Sequence, residues 1–98
     1  MLCTAPAEGA SGGFSVDRLA RTVVEEGLCA CVNVVPGVRS FFRWEGRVDV
    51  ADEQLLVAKT TAAAAPALRA RLAELHPYRV PEVLELAVSG GLPSYLEW

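Results

Sequence analysis

The chain has 98 residues, 52% of them hydrophobic and 21% charged, a profile that fits a single globular domain over residues 1–98. Nine basic residues against twelve acidic ones give a formal net charge of −3. That balance excludes binding driven by phosphate neutralisation, so no nucleic-acid partner is expected. Lys59 is the lone lysine, and no apolar run approaches the roughly 20 residues of a bilayer span, so no membrane partner is expected either.

No basic stretch followed by a long apolar one opens the chain, and the cytoplasm is the expected location. Cys3, Cys29 and Cys31 are an odd set of three. In a strand, Cys29 and Cys31 would share a face, and spacing of that kind is poor disulfide geometry. Reduced thiols are expected.

Leu2-Cys3-Thr4-Ala5 reads as the end of a first strand. Pro6 to Gly13 is a turn region by composition. A helix is predicted over Val16 to Glu26, with Ser15 as its cap, Asp17 in its first turn and Gly27 as its stop. Val16, Leu19, Ala20, Val23 and Val24 form its apolar stripe.

A long strand follows, from about Leu28 to Trp44. Pro36-Gly37 must interrupt its ladder, because proline has no N–H to donate. Glu45-Gly46 is a two-residue connection, and Arg47 to Lys59 is the return strand. Leu55, Leu56, Val57 and Ala58 are apolar on both faces, where a half-solvated antiparallel strand should alternate. A second helix is predicted between Ala62 and Leu75, with Thr60 or Thr61 as cap and Pro66 pulling its start toward Ala65. His76-Pro77 ends it. A last strand is predicted over Glu82 to Val88, then a single helical turn over Ser94 to Trp98.

The order is strand, helix, strand, strand, helix, strand. This is an α+β chain of the ferredoxin-like β-α-β-β-α-β type, an antiparallel sheet with two helices on one face. The other face needs cover, which points to further copies of the chain.

The residues also carry a family likeness. Cys3-Thr4-Ala5-Pro6, Leu28 to Asn33, Pro36 to Ser40, Trp44-Glu45-Gly46, Glu53, Lys59-Thr60, His76-Pro77-Tyr78, Val80-Pro81-Glu82 and Tyr95 to Trp98 occur in one order over the whole chain. Together they resemble the CutA-type divalent-cation tolerance proteins. The resemblance implies a homotrimer similar in architecture to the PII signalling proteins, its long hairpins wrapped onto neighbours. It implies tolerance to copper and other divalent cations with copper binding, and no enzymatic reaction. Relatives usually carry several more apolar residues before the Cys-Thr-Ala-Pro segment and continue past the position of Trp98. The expectation is therefore a start codon set too late, or a fragment.

Soft transition metals choose thiolates and imidazoles, so Cys31, His76 and Cys3 are the candidate metal residues. The competing reading is a small buried apolar residue for each cysteine and a turn-shaping residue for His76. The resemblance places Glu53, Lys59, Tyr78 and Glu82 at polar family positions that a cleft between subunits would collect. An intersubunit network of hydrogen bonds and ion pairs is the plainer account of these four. Trp44, Phe42 and Leu56 are the candidate trimer-interface residues. The expected function is a homotrimeric cation-tolerance protein with weak copper binding and no organic cofactor. The alternative is a PII-like module that senses a small ligand at subunit clefts and signals to a partner protein.

Overall fold

A computed structural model describes all residues from Met1 to Trp98. Strand β1 runs Leu2–Pro6, helix α1 Val16–Glu25, β2 Cys31–Trp44, β3 Arg47–Lys59, α2 Ala65–Leu75, β4 Val83–Leu84 and α3 Pro93–Glu97. The sheet order is β2-β3-β1-β4, with antiparallel neighbours throughout. This is the ferredoxin-like arrangement, with the five-residue β1 in the interior of the sheet.

Local chemistry sets the helix ends. Ser15 is extended, at φ −128°, and its Oγ accepts the Arg18 N–H at 3.3 Å, satisfying one donor of the first turn of α1. Gly27 leaves the helix at φ +74°, where a side chain is disfavoured. Thr61 Oγ1 accepts the Ala64 N–H, and Pro66 sits in the first turn of α2, so that helix starts at Ala65 and the alanines before it form a turn. Arg71 of α2 donates from two nitrogens to the two Glu26 carboxylate oxygens at 2.9 Å each, tying α2 to the end of α1.

Val16, Leu19, Ala20 and Val23 of α1 and Ala65, Leu68 and Leu72 of α2 are buried. Cys3, Ala5, Leu56 and Ala58 of the sheet join the same core. This fixes the phase of β3. Leu56 and Ala58 point toward the helices, while Leu55, Val57 and Lys59 point to the other face and are only partly covered. Leu56, expected at a trimer interface, is 2% exposed and belongs to the interior of its own chain. Four apolar residues in a row, Leu55 to Ala58, carry no alternation to set that phase.

Strand β2 is shorter at its start than expected. Leu28 bonds back to the Val23 carbonyl at 3.1 Å, and the chain joins the strand only at Cys31. Cys29 and Cys31 therefore do not share a strand face. Cys29 is in the core, and Cys31 pairs with Lys59 on the face without helices. The break at Pro36-Gly37 is a bulge: the register passes from Val35↔Leu55 to Val38↔Glu53, with Gly37 at φ +76°. Glu45 and Gly46 both have positive φ, 50° and 82°, as a type I′ hairpin turn requires.

β4 covers only Val83–Leu84, not Glu82 to Val88. Leu84 already faces Leu2, so the residues after it run past the start of β1 and find no ladder there. β1 pairs with β3 only from Glu53 to Val57. Beyond the bulge the β2–β3 hairpin is a two-stranded arm, and the molecule measures 44 × 27 × 23 Å.

Candidate functional site

The arm, β3 and the segment after α2 enclose a groove of about 750 Å³. Its position follows from His76, the residue that caps α2. His76 is buried and packs near the rings of Phe14 and Tyr78, with centroids 6.1 and 4.7 Å away. Its Nε2 lies 2.7 Å from the Thr4 carbonyl, and the Tyr78 N–H donates to Nδ1 at 3.1 Å. A carbonyl only accepts and an amide N–H only donates, so Nε2 carries the proton and Nδ1 is the acceptor. The imidazole locks the His76-Pro77-Tyr78 turn onto β1.

That turn delivers Tyr78 to the groove. Its hydroxyl donates to Glu53 Oε2 at 2.9 Å. Glu53 is 6% exposed. Burial, followed by the hydrogen bond and charge of Glu53, pushes the Tyr78 phenol up to about 12. Cys3, beneath the groove on β1, is also held neutral. Burial comes first, then the charges of Glu82 and Glu53, and together they push its thiol up to about 12. The Cys29 thiol is raised as well, chiefly by burial.

Three of the four polar residues expected in a cleft, Glu53, Tyr78 and Glu82, do line this groove. Trp44 and Phe42 line it too. Lys59 does not. It lies six residues along β3 from Glu53, with its Nζ 3.9 Å from Cys31 Sγ. Phe14 and the Thr4 carbonyl, which hold His76, gave no signal in the sequence, because neither a lone phenylalanine in a glycine-rich turn nor a backbone carbonyl advertises a role.

Within one chain the expected metal residues do not fit a copper ion. No three His, Cys, Asp or Glu side chains gather closely enough to hold a metal. Cys3 is sealed in the core and held in its thiol form. Both His76 nitrogens are engaged. Cys31 is the one partly exposed thiol.

The family model for the CutA1 divalent ion tolerance protein matches residues 2–98. The chain belongs to the CutA1 family. It is 49% identical over 80 residues to the divalent-cation tolerance protein CutA of Thermus thermophilus, covering 82% of this chain and 78% of that protein. The solved Thermus thermophilus CutA1 structure superposes with a TM-score of 0.89 at 44% identity, over 99% of this chain and 89% of that one. The PII-like protein CutA from Nostoc superposes with a TM-score of 0.84 at 35% identity, over 98% and 88%. The family model and the Thermus thermophilus relatives carry the description divalent-cation tolerance protein. No helix is long and apolar enough to cross a membrane.

Proposed function

We propose that the protein acts in divalent-cation tolerance as a PII-like homotrimer that binds copper weakly. The supporting observation is the sheet face opposite the helices, where Leu2, Leu55 and Val57 are only partly covered and do not join the core of their own chain. The arm adds Phe42, 40% exposed, and Trp44, 49% exposed. Copies packed face to face around a threefold axis would remove this surface from water, and each arm would reach a neighbour. Glu53, Tyr78 and Glu82 then lie in a cleft between subunits.

No copper set exists inside one chain, so donors would have to come from more than one subunit. Cys31 is the thiol we assign to that set, because it lies on the face without helices. The unpaired thiols support a reducing compartment, and we place the protein in the cytoplasm.

Sedimentation equilibrium at micromolar concentration tests the assembly, with about three subunits as the expected result and a folded monomer as the contrary one. Calorimetric titration of the reduced protein tests the metal. Cu(I) should bind more tightly than Zn(II), since thiolate ligands favour it. Cys31→Ser should weaken Cu(I) binding at least about tenfold, roughly 1.4 kcal/mol. Equal affinity in parent and variant removes Cys31 from the site.

A further inference from the structure

We propose that Arg43 of one copy completes the Glu53 site of the next, its guanidinium taking the free carboxylate oxygen in the groove. The pairing rests on the homotrimeric reading above and is independent of copper. Four observations lead to it.

The first is Glu53 itself. It is 6% exposed, and only Oε2 is bonded, to the Tyr78 hydroxyl. Oε1 makes no hydrogen bond within the chain, yet no sealed side-chain oxygen or nitrogen lacks a partner, so Oε1 opens on the groove. A chain that covers the groove takes water away from Oε1. Burial of that kind is costly unless a donor or a positive charge arrives with the covering chain.

The second is the charge of the groove. Asp49, Glu53 and Glu82 line it against a single guanidinium, Arg79. The ion pairs of the chain are Arg69–Glu85, Arg71–Glu26 and Arg71–Glu74, so none of the four groove residues is neutralised by contact. Phe42 and Trp44 line the same space. Guanidinium is the cation that suits both features, because its planar fork fits a carboxylate and its face stacks on aromatic rings.

The third is the back of the arm. Alternation along the ladder puts Phe42 and Trp44 on the groove side with Asp49 and Glu53. It puts Arg39 and Arg43 on the back with Val48 and Val50. Arg39 lies opposite Asp52, whereas Arg43 lies opposite Val48 and has no acidic residue across the ladder. Neither arginine joins an ion pair of the chain. Val48 is 64% exposed and Val50 48%. The back of the arm is thus a basic surface with apolar area that also calls for cover.

The fourth is symmetry. Groove against groove would bring two sets of carboxylates together, and back against back two sets of guanidinium groups. Groove against back joins opposite charges. That contact uses two different patches on each copy, and a contact of this head-to-tail kind builds a ring where the rotation closes, not a twofold dimer. The two-sided arm therefore suits a cyclic assembly.

The test is sedimentation equilibrium over a concentration series, with circular dichroism to check folding. Arg43→Gln, a change at an exposed position, should raise the dissociation midpoint at least about tenfold. Arg39→Gln should raise it less. In a Glu53→Gln background the effect of Arg43→Gln should largely vanish, since its partner charge is gone. Should Glu53→Gln fail to fold, Arg43→Glu decides: it should weaken assembly more than Arg43→Gln, because it adds a carboxylate to an acidic groove. Equal effects of these two Arg43 variants would overturn the pairing, as would full additivity of the Arg43 and Glu53 changes. A trimer whose midpoint is unmoved by Arg43→Gln would overturn the pairing and leave the trimer standing. A parent protein that stays a folded monomer would overturn both.

Discussion

The Tyr78 hydroxyl and the Glu53 carboxylate meet at 2.9 Å across the groove, one from the turn after α2 and the other from the middle of β3. The bond satisfies a charged group that is almost fully buried. Removing it with Tyr78→Phe leaves Glu53 Oε2 without its donor. The expected loss of stability is about 1.5–3 kcal/mol, the range for hydrogen bonds to charged groups. Urea unfolding checks it, and an unchanged midpoint would mean that water replaces the phenol.

The same pair predicts an alkaline limit. The folded protein holds the Tyr78 phenol at about 12, above its ordinary 10.0. Between these values the unfolded chain has lost the proton and the folded chain has kept it, so folding becomes less favourable as pH rises. This contribution is intact below about pH 10 and is lost on the way to about 12. Cys3 acts in the same direction, from 9.0 to about 12. Melting temperature should therefore fall through this window, less steeply in Tyr78→Phe. A flat profile to pH 12 would contradict both shifts.

The three thiols should react unequally. Cys31 is partly exposed, whereas Cys3 and Cys29 are buried with raised pKa values. The thiolate is the reactive species, so Ellman's reagent should modify one thiol per chain quickly under native conditions and all three after unfolding. Cys31→Ser should abolish the fast phase. Rapid modification of all three would show that the core opens.

Much of this fold was legible because its signals are local. Ser15, Gly27, Pro36-Gly37 and Glu45-Gly46 each act through their own backbone, and each sits in the element end, bulge or turn that its chemistry predicts. Facing is a different matter. Leu55 to Ala58 carries apolar side chains on both sides, so only the packed helices decide that Leu56 points inward. The length of β4 depends on where β1 offers a partner, which no residue of 82–88 encodes. For the site, Glu53, Tyr78 and Glu82 were found through family-like positions and do come together. Lys59 was grouped with them, yet strand rise carries it well away along β3.

The turn at the tip of the arm is open to improvement. Glu45 sits at φ 50°, a region costly for a residue with a Cβ and better tolerated by asparagine. Glu45→Asn should stabilise the protein by about 0.5–1 kcal/mol, and Gly46→Ala, at φ 82°, should destabilise it by about 1–2 kcal/mol. Thermal melts of the two variants should move in opposite directions.

Trp44 tests the assembly. If the arm seats on a neighbour, Trp44→Ala should remove a contribution of about 2–4 kcal/mol from association. The dissociation midpoint should then move to higher protein concentration. Since Trp44 is 49% exposed within its own chain, the fold of each subunit should survive. An unchanged midpoint would put Trp44 outside every contact between copies.

Beyond the last contacts of β1, at Glu53 and Asp52, the arm is a ladder of only two strands, from Ser40↔Ala51 to Trp44↔Arg47. Two-stranded ribbons are marginal in water when nothing packs on them. In a lone subunit, then, the amide protons of this ladder should exchange with deuterium by local opening, while those of β1 and the inner half of β3 wait for global unfolding. If copies of the chain pack on the arm as proposed, protection at the tip becomes a clock for the lifetime of that assembly, because those protons would be guarded only while another chain lies against them.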